Sequence, residues 1–437
     1  MRAPLSPPKK MEIKIPYGSG EEAIRLPPDT EIDFLRPADA SPMGDIEGSF
    51  VTALEKPVNS RPLGDLLGPD STVVILVSDI TRAKGSEQLL PLLIRFVKDA
   101  GVSGASITVL VARGTHRKMT KEERTFFTRP GLSGVVVKEH DCDDTSSLSA
   151  LLLTQRGTPV RMNAALRDID TVILLSPVSF HYFAGFGGGR KLILPGSTDR
   201  ASIVANHRLS LVDGDPVRIH AKCHAGNLEG NPIHEDMIET LGALDGVFGI
   251  NFFSGTSGDL LFVNAGEPVR AHEEACEAYR KVYERPVKKN YQVAVVGAGG
   301  LPYDINFLQS HKGIRHASSV LADGGSMLYF AECGEGVGSA KLESALAMDK
   351  KKFLKSAWQD YELNNTTAVS LHDLTDRHEI GMVSAMNVDV LLSCGIKSCV
   401  NREAFLAEAL EKHGTNRVAV IPHGSTTLPQ LVGDGER

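Results

Sequence analysis

We predict an α/β protein with two α/β domains, mostly parallel sheets and an active site at the domain interface. From Ser71 onward, short apolar runs of strand length alternate with stretches of helical pattern. This alternation is typical of parallel sheets that helices cover on both faces. The length of 437 residues and the globular composition, 42% hydrophobic and 23% charged, are enough for two or three domains.

The elements of the amino-terminal half follow from these runs. Residues 1–60 are rich in proline and weakly patterned, with a short edge strand predicted at 11–15. Beyond them the pattern predicts strands at 73–77, 107–111 and 171–175 and helices at 86–100 and near 121–127.

The carboxyl-terminal half shows the same alternation after a charged stretch of helical pattern. Strands are predicted at 293–296, 327–330, 388–393 and 417–421, and helices near 304–318, 341–358 and 402–413. This pattern predicts an amino-terminal domain at 1–270, a helical linker at 271–289 and a carboxyl-terminal α/β domain at 290–415. Residues 416–437 are predicted to form a strand and a tail, which could return to the amino-terminal domain.

The charge balance limits the classes of partner. Forty-seven basic residues against 54 acidic ones give a net charge of -7, which offers no general attraction for nucleic acid or an anionic membrane. The amino terminus lacks the apolar run of a signal peptide, and no later stretch reaches the roughly 20 apolar residues that span a bilayer. We therefore expect a cytoplasmic protein that acts on a small molecule. Whether it forms a homo-oligomer is left open.

The six cysteines are scattered, with no C-x-x-C pair. Free thiols are the default for such a pattern. The nearest approach to a metal cluster is His220, Cys223 and His224, for which local packing is the simpler interpretation.

Polar residues follow the first two strands of the series, where the loops of a parallel sheet build active sites. Asp79 and Arg82 lie just after the first strand, and His116 lies between Arg113 and Arg117 after the second. The planar fork of Arg82 suits a carboxylate or phosphate, because it donates two parallel hydrogen bonds. The two cations beside His116 would favour its neutral, base-competent form.

The loop after the third strand, His181 to Gly196, reads HYFAGFGGGRKLILPG. Its glycines permit close backbone approach to a ligand, and Arg190 and Lys191 could face a phosphate. The loop is not a P-loop, because Arg190 precedes the lysine and Leu192 stands where serine or threonine is needed. His207 lies sixteen residues beyond Lys191, in a stretch of helical pattern.

Together these motifs resemble, in order and spacing, the nickel-pincer lactate racemase family. The resemblance rests on Asp79 with Arg82, the G-T-H-R segment that contains His116, the H-Y-F-A-G-F-G-G-G-R-K-x-I-L-P-G segment and the A-N-H that ends at His207. In the carboxyl half, Q-S-H-K-G at 309–313 is similar to the family's Q-S-x-K-G substrate segment. The resemblance touches both predicted domains and implies a racemase or epimerase of a 2-hydroxy acid.

The resemblance further implies a nickel-pincer nucleotide (pyridinium-3-thioamide-5-thiocarboxylic acid mononucleotide), made upstream by separate biosynthetic enzymes. The matching attachment residue is Lys191, and His207 would be the one protein ligand of nickel, a role that an imidazole suits. A preparation made without those enzymes would be the apoprotein. The remaining residues that would contact the cofactor are Asp79, Gly187, Gly188, Gly189 and Arg190.

For the reaction, the resemblance implies that a hydride leaves C2 of the substrate while His116 and His181 act as acid and base for the two faces. The substrate carboxylate would be held by Arg82, Gln309 and Lys312. Leu308 stands where the family's prototype has tyrosine, which changes the shape and hydrogen bonding of the substrate pocket. The sequence therefore does not identify the 2-hydroxy acid.

Three other functions stay open. An NAD-dependent enzyme is suggested by the glycines that end the strand at 293–300, but Pro302 interrupts G-x-G-x-x-G. A zinc-dependent enzyme would use His116, His181 and His207, which are far apart for zinc ligands. A non-catalytic protein that binds the nickel-pincer cofactor would need only the attachment lysine and the nickel ligand, and the presence of both candidate bases argues against it.

Overall fold

The structure is a computed structural model that describes residues 11–79 and 85–432. The strands are, in chain order, β1 (Met11–Tyr17), β2 (Gly20–Leu26), β3 (Glu31–Phe34), β4 (Val73–Ser78), β5 (Ile107–Ala112), β6 (Val136–Glu139), β7 (Leu148–Leu153), β8 (Pro159–Asn163), β9 (Thr171–Pro177), β10 (Phe180–His181), β11 (Gly185–Phe186), β12 (Leu211–Val212), β13 (Arg218–Ile219), β14 (Val247–Ser254), β15 (Leu260–Gly266), β16 (Glu284–Val287), β17 (Tyr291–Gly297), β18 (Leu321–Phe330), β19 (Glu379–Val383), β20 (Lys397–Ser398), β21 (Arg417–Ile421) and β22 (Leu428–Leu431).

The helices are, in chain order, α1 (Ile46–Glu55), α2 (Ser86–Asp99), α3 (Lys121–Arg124), α4 (Arg200–Arg208), α5 (Pro232–Leu241), α6 (Pro268–Tyr283), α7 (Phe307–Ala317), α8 (Ala340–Ala347), α9 (Lys350–Ser356), α10 (Asn365–Arg377), α11 (Val388–Ser393) and α12 (Arg402–His413). Among the residues that the structure describes, no helix combines the length and the apolar character that crossing a bilayer requires.

The amino-terminal unit comprises residues 39–210 and 220–282. Its six-stranded sheet has the order β15-β14-β9-β4-β5-β6 and is parallel except for the pair β14 and β15. Alternate residues of β4 serve opposite faces, since Val73, Ile75 and Val77 pack with the apolar side of α2 while Val74 and Leu76 join the core of the other face. Burial on both faces explains why these strands are continuous apolar runs.

The carboxyl-terminal unit comprises residues 11–38, 211–219 and 283–432. Its six-stranded sheet has the order β20-β19-β18-β17-β21-β3 and is parallel throughout. The hairpin of β1 and β2 contributes Ile13, Ile15 and Ile24 to the core of one face, where they pack with Val295 and Leu328 of the central strands.

Most predicted elements are confirmed, with small shifts of their ends. The strands predicted at 73–77, 107–111, 171–175, 293–296, 327–330 and 417–421 are β4, β5, β9, β17, β18 and β21, and the helices at 86–100 and 402–413 are α2 and α12. The predicted fold class, α/β with mostly parallel sheets, is confirmed.

The strand predicted at 388–393 is wrong, because these residues form helix α11. The Asn387 side chain accepts a hydrogen bond from the backbone N–H of Asp389 and so begins the helix. Val388 and Leu392 are 50% and 57% exposed, whereas a strand inside a parallel sheet would bury them. A six-residue apolar run does not by itself distinguish strand from helix.

The compact units differ from the predicted domain boundaries in three places. Residues 11–38 belong to the carboxyl-terminal unit, where β3 pairs with β21. Residues 271–282 lie in α6 of the amino-terminal unit and are not a linker. Strand β21 pairs with β17 of the carboxyl-terminal sheet and does not return to the amino-terminal one. Pairings between strands so distant in sequence leave no local pattern from which they could be predicted.

Candidate active site

The first feature of the site is a hydrogen-bonded pair in the loops after β4 and β5. Asp79 directly follows β4 and is buried, and the His116 side chain is about one third exposed. Nδ1 of His116 donates to Oδ2 of Asp79 over 2.6 Å. With the proton on Nδ1, the lone pair of the neutral ring lies on Nε2, which is the atom that can take a proton from a substrate.

The two arginines beside His116 in the sequence each form ion pairs with carboxylates. Arg113 forms ion pairs with Glu139 and Asp141, at 3.3 and 3.1 Å, and Arg117 pairs with Glu123 at 2.7 Å. Among the described residues, the carboxylate of Asp79 contacts the imidazole. Asp79 was assigned to cofactor binding from the sequence, and its observed contact gives it a second role.

His181 occupies a tight hairpin formed by β10 and β11, in which it pairs with Gly185. The residue is buried, and its Nδ1 accepts a hydrogen bond from the backbone N–H of Ala184 over 3.2 Å. A nitrogen that accepts carries no proton, so the neutral His181 ring has its proton on Nε2. The two candidate acid/bases thus have opposite neutral tautomers.

Phe183 brings three of the predicted site residues together. Its ring lies 4.6 Å from the ring of His181 and 5.1 Å from that of His207, both centre to centre and edge-on. The ammonium of Lys191 lies 5.7 Å from the centre of the same ring, within the range of a cation–π contact. Sequence reasoning assigned no role to Phe183, although the residue stands between His181 and the glycines.

His207 is on the last turn of α4, and its Nδ1 atom is buried and makes no hydrogen bond of normal geometry with the described residues. The backbone of Ile203, one turn earlier, interacts with the ring only weakly. Burial of the ring, together with the positive charge of Lys191, lowers the pKa of His207 to about 3. The imidazole is therefore neutral at physiological pH. A neutral imidazole whose buried Nδ1 makes no well-formed hydrogen bond with the described residues has the properties of a metal ligand.

Neighbouring side chains hold α4 in place. Asn206, next to His207, donates through its amide to Oδ2 of Asp236 over 2.8 Å. The hydroxyls of Thr154 and Thr158 donate to the same buried carboxylate, at 2.6 and 2.8 Å. This network fixes the orientation of the helix turn that carries His207, and the sequence held no local signal for it.

The glycines of the loop pack against the protein itself. Gly188 and Gly189 have φ values of +83° and +52°, which side-chain-bearing residues rarely adopt. An added Cβ would lie 2.7 Å from the Pro177 carbonyl oxygen at the first position and 2.8 Å from the His272 ring at the second. This packing requires glycine whether or not a ligand approaches, so contact of Gly187, Gly188 and Gly189 with a cofactor stays a prediction.

The substrate residues predicted in the carboxyl-terminal unit share the first turns of α7. The backbone N–H of Gln309 is capped by the Asn306 side chain, and the ammonium of Lys312 donates to Oε1 of Gln309 over 2.8 Å. Leu308 is partly exposed beside them. His311 turns inward instead, and its Nδ1 donates to the Leu308 carbonyl. Arg82 lies outside the described residues.

The structure gives no support to the two rival sites. Within the described part of the chain, only Asp141, Cys142 and Asp143 bring three potential ligand atoms within 4.8 Å of one another, and both aspartates form ion pairs. Among the described residues, neither the triad His116, His181 and His207 nor the group at 220–224 brings three potential ligand atoms this close together. Gly297, the last residue of β17 and the first glycine of the interrupted G-x-G-x-x-G segment, packs against Ile15 and the Pro422 carbonyl.

Comparison with known families gives two matches that together span most of the chain. Residues 17–217 match the lactate racemase N-terminal domain, and residues 287–428 match the lactate racemase C-terminal domain.

Individual relatives agree with these matches. The chain is 30% identical over 329 residues to lactate racemase of Thermoanaerobacterium thermosaccharolyticum, covering 75% of each protein. It is 27% identical over 381 residues to lactate racemase of Lactiplantibacillus plantarum, covering 85% of this chain and 88% of the relative. The fold is similar to the lactate racemase apoprotein of T. thermosaccharolyticum, with a TM-score of 0.86 and 26% identity over 96% of this chain and 100% of the other.

Proposed function

Because the chain belongs to the lactate racemase family and is an isomerase of the racemase type, we propose that it racemises or epimerises a small 2-hydroxy acid. The proposed reaction is reversible hydride transfer from C2, with His116 and His181 as acid/bases. The observation that carries the proposal is the arrangement around Phe183, which places His181, His207 and Lys191 against one ring.

Members of this family use a nickel cofactor, and we propose the nickel-pincer nucleotide attached to Lys191. When bound, this group supplies a nickel centre that accepts a hydride and returns it. The residues fit the group, because Lys191 offers an amine for attachment and His207 offers a neutral imidazole whose buried Nδ1 is not used by the described residues.

His116 is the proposed base that takes the hydroxyl proton as hydride leaves the adjacent carbon. Its Nδ1–H bond to Asp79 holds the lone pair on Nε2 and stabilises the imidazolium that forms. Removal of both hydrogens turns the substrate into a 2-keto acid, and return of the hydride to the other face of the carbonyl gives the opposite configuration.

His181 is the proposed partner on the other face. The hydrogen bond that the Ala184 N–H donates to Nδ1 leaves the ring proton on Nε2, and this Nε2–H is proposed to donate a hydrogen bond to a substrate oxygen. For His181 to give a proton to the keto oxygen it must first be an imidazolium, and for it to act as the base in the reverse direction its single proton must lie on Nδ1 and not on Nε2. Both states place a proton on Nδ1, which requires the contact with the Ala184 N–H to be lost. Exchange of roles between the two histidines thus includes a local movement of the hairpin.

The substrate class follows from the proposed carboxylate partners. Gln309, Lys312 and Arg82 are proposed to hold a carboxylate, and Gln309 and Lys312 already share a hydrogen bond on α7. Leu308 replaces a phenol with an apolar side chain, so the proposal covers small 2-hydroxy acids and does not single out lactate.

Peptide mass spectrometry over residues 185–200 tests the attachment. Protein is made together with the cofactor-synthesising enzymes and protected from oxidation, and K191R protein is the control. We expect a mass increase at Lys191 that K191R lacks, with turnover in a chiral screen of 2-hydroxy acids. Turnover by protein whose Lys191 is unmodified would contradict the proposed mechanism.

A further inference from the structure

We propose that His272 and Arg190 are positioning residues that hold the backbone from Ala184 to Gly189 and so set the place of Lys191. The inference rests on the proposed function only in taking Lys191 as the attachment residue. Neither side chain is proposed to contact substrate or cofactor. Arg190, which the sequence assigned to cofactor binding, thereby receives a different role.

His272, on α6, is buried against the glycine loop. Its Nε2 lies 2.9 Å from the Gly187 carbonyl oxygen and 3.2 Å from Nη1 of Arg190. The carbonyl can only accept and makes the shorter contact, so Nε2 carries the proton and donates to Gly187, and the contact with Arg190 is then not a hydrogen bond. Nδ1 is then an acceptor for the thiol of Cys276, whose Sγ lies 3.7 Å away on the next turn. The ring also fills the space that a side chain at Gly189 would need.

Arg190 is fully buried, and its guanidinium turns back onto the loop from which it comes. Nη2 donates to the Ala184 carbonyl over 3.0 Å and Nη1 to the Gly188 carbonyl over 3.4 Å. The Gly188 carbonyl also accepts the backbone N–H of Lys191 over 3.1 Å. The two side chains therefore donate to the carbonyls of three loop residues, and the carbonyl of one of them, Gly188, is also hydrogen-bonded to the backbone N–H of Lys191.

The electrostatic cost of this arrangement argues against a role in packing alone. Burial lowers the pKa of Arg190 to about 10, and among the described residues the acidic group that opposes this shift is the thiol of Cys276, not a carboxylate. Buried arginines usually pair with a carboxylate, because an isolated buried charge is unfavourable. An apolar side chain would fill the same volume without that cost, but it could not bind two carbonyls.

The neutral state of His272 completes the arrangement. Burial and the neighbouring Arg190 charge lower the pKa of His272 to about 3. The ring therefore keeps a single proton at neutral pH, and the carbonyl of Gly187 holds that proton on Nε2.

The test compares H272F, which keeps an aromatic ring of similar size but has no donor, with H272Q, whose amide N–H reaches toward the position of Nε2. The control is H372F, which changes a buried histidine on α10 in the other unit. Amide hydrogen exchange of residues 184–192 is measured in apoprotein, and the modified fraction of Lys191 is measured in protein made with the cofactor-synthesising enzymes.

We expect H272F to speed exchange of the loop amides by about ten-fold or more, because a buried carbonyl loses its donor, and to lower the modified fraction of Lys191. H272Q should restore both values toward those of the wild type, and H372F should leave loop exchange unchanged. If H272F does not fold, R190M, which removes both guanidinium bonds, should give the same two changes.

Wild-type exchange and wild-type modification in H272F, or in R190M where H272F does not fold, would overturn the positioning role. So would an equal rise of exchange throughout the unit, which indicates global destabilisation. Absence of modification in the wild type would instead contradict the proposed cofactor attachment, and the exchange data would still decide the positioning role.

Discussion

Replacing Asp79 with asparagine tests the role of the 2.6 Å bond to His116. The change preserves the shape of a buried side chain but removes its charge. The amide can donate to Nδ1 of His116, which would move the ring proton to Nε2 and abolish the base. We expect kcat to fall while the fold and the modification of Lys191 are retained.

The magnitude follows from two effects. Loss of a charge-assisted hydrogen bond to the imidazolium that forms costs about 1.5–3 kcal/mol, or about 10- to 150-fold in rate. Inversion of the tautomer adds to this, and the corresponding change in serine proteases lowers kcat by about 10⁴-fold. We therefore expect D79N to lose between about 10² and 10⁴ in kcat.

The assay is chiral chromatography of product, with rates divided by the fraction of protein that carries a modified Lys191. This normalisation separates the two roles of Asp79, since a residue that only contacts the cofactor would lower the modified fraction and leave turnover per modified site unchanged. The control is D143N, which breaks the exposed ion pair with Arg200 and should change the rate less than about three-fold. A D79N enzyme within three-fold of the wild type per modified site would refute the reasoning.

Three further changes have defined outcomes. F183L should lower the free energy of unfolding, measured with urea, by about 1 kcal/mol through lost aromatic contacts. It should also lower turnover at least about ten-fold, because the ring separates and orients His181, His207 and Lys191. Turnover equal to that of the wild type would contradict this. K312M should raise KM for the 2-hydroxy acid about 10- to 150-fold with little change in kcat, as expected for the loss of a carboxylate partner, which steady-state kinetics will show. The free energy of unfolding should fall as pH is lowered from about 6.5, because burial lowers the pKa of several histidines to between about 2 and 4, so the unfolded chain binds more protons than the folded one. Each such histidine can lower the free energy of unfolding by up to about 1.4 kcal/mol per pH unit. Urea unfolding midpoints should therefore decrease from pH 7.5 to 6 to 5, and equal midpoints would contradict this. These histidines are His207, His234, His272, His311 and His316.

The sheet cores were predictable from sequence because their strands are buried on both faces. A strand such as β4 must be apolar at successive positions, and such runs stand out against amphipathic helices. The same signal failed at 388–393, where an apolar run forms an exposed helix. It also contained nothing about the pairing of β3 with β21, because register between distant strands depends on contacts that no local window contains.

Predictions of the site divide in the same way. The motif identified the residues that carry the proposed chemistry, and the structure places His181, His207 and Lys191 against Phe183. Their supports were not predictable. His272 is a lone histidine in an amphipathic helix that had been assigned to a linker, and Asp236 is an ordinary acidic residue of α5. Both matter only because of what the fold brings next to them.

The electrostatics of the amino-terminal unit explain why the proposed cofactor suits this loop. Arg190 and Lys191 are buried next to each other in the chain, and the positive charges of these two residues contribute to lowering the pKa of His207, His234 and His272. Burial is the main cause of these three shifts, and among the described residues no carboxylate opposes them. A site with buried cations and neutral imidazoles has a positive potential that a negatively charged ligand would offset. In the proposed cofactor, a nucleotide phosphate and one thiocarboxylate would supply that charge, and attachment through a thioamide would remove the charge of Lys191, whereas free Ni²⁺ carries the same sign as the site.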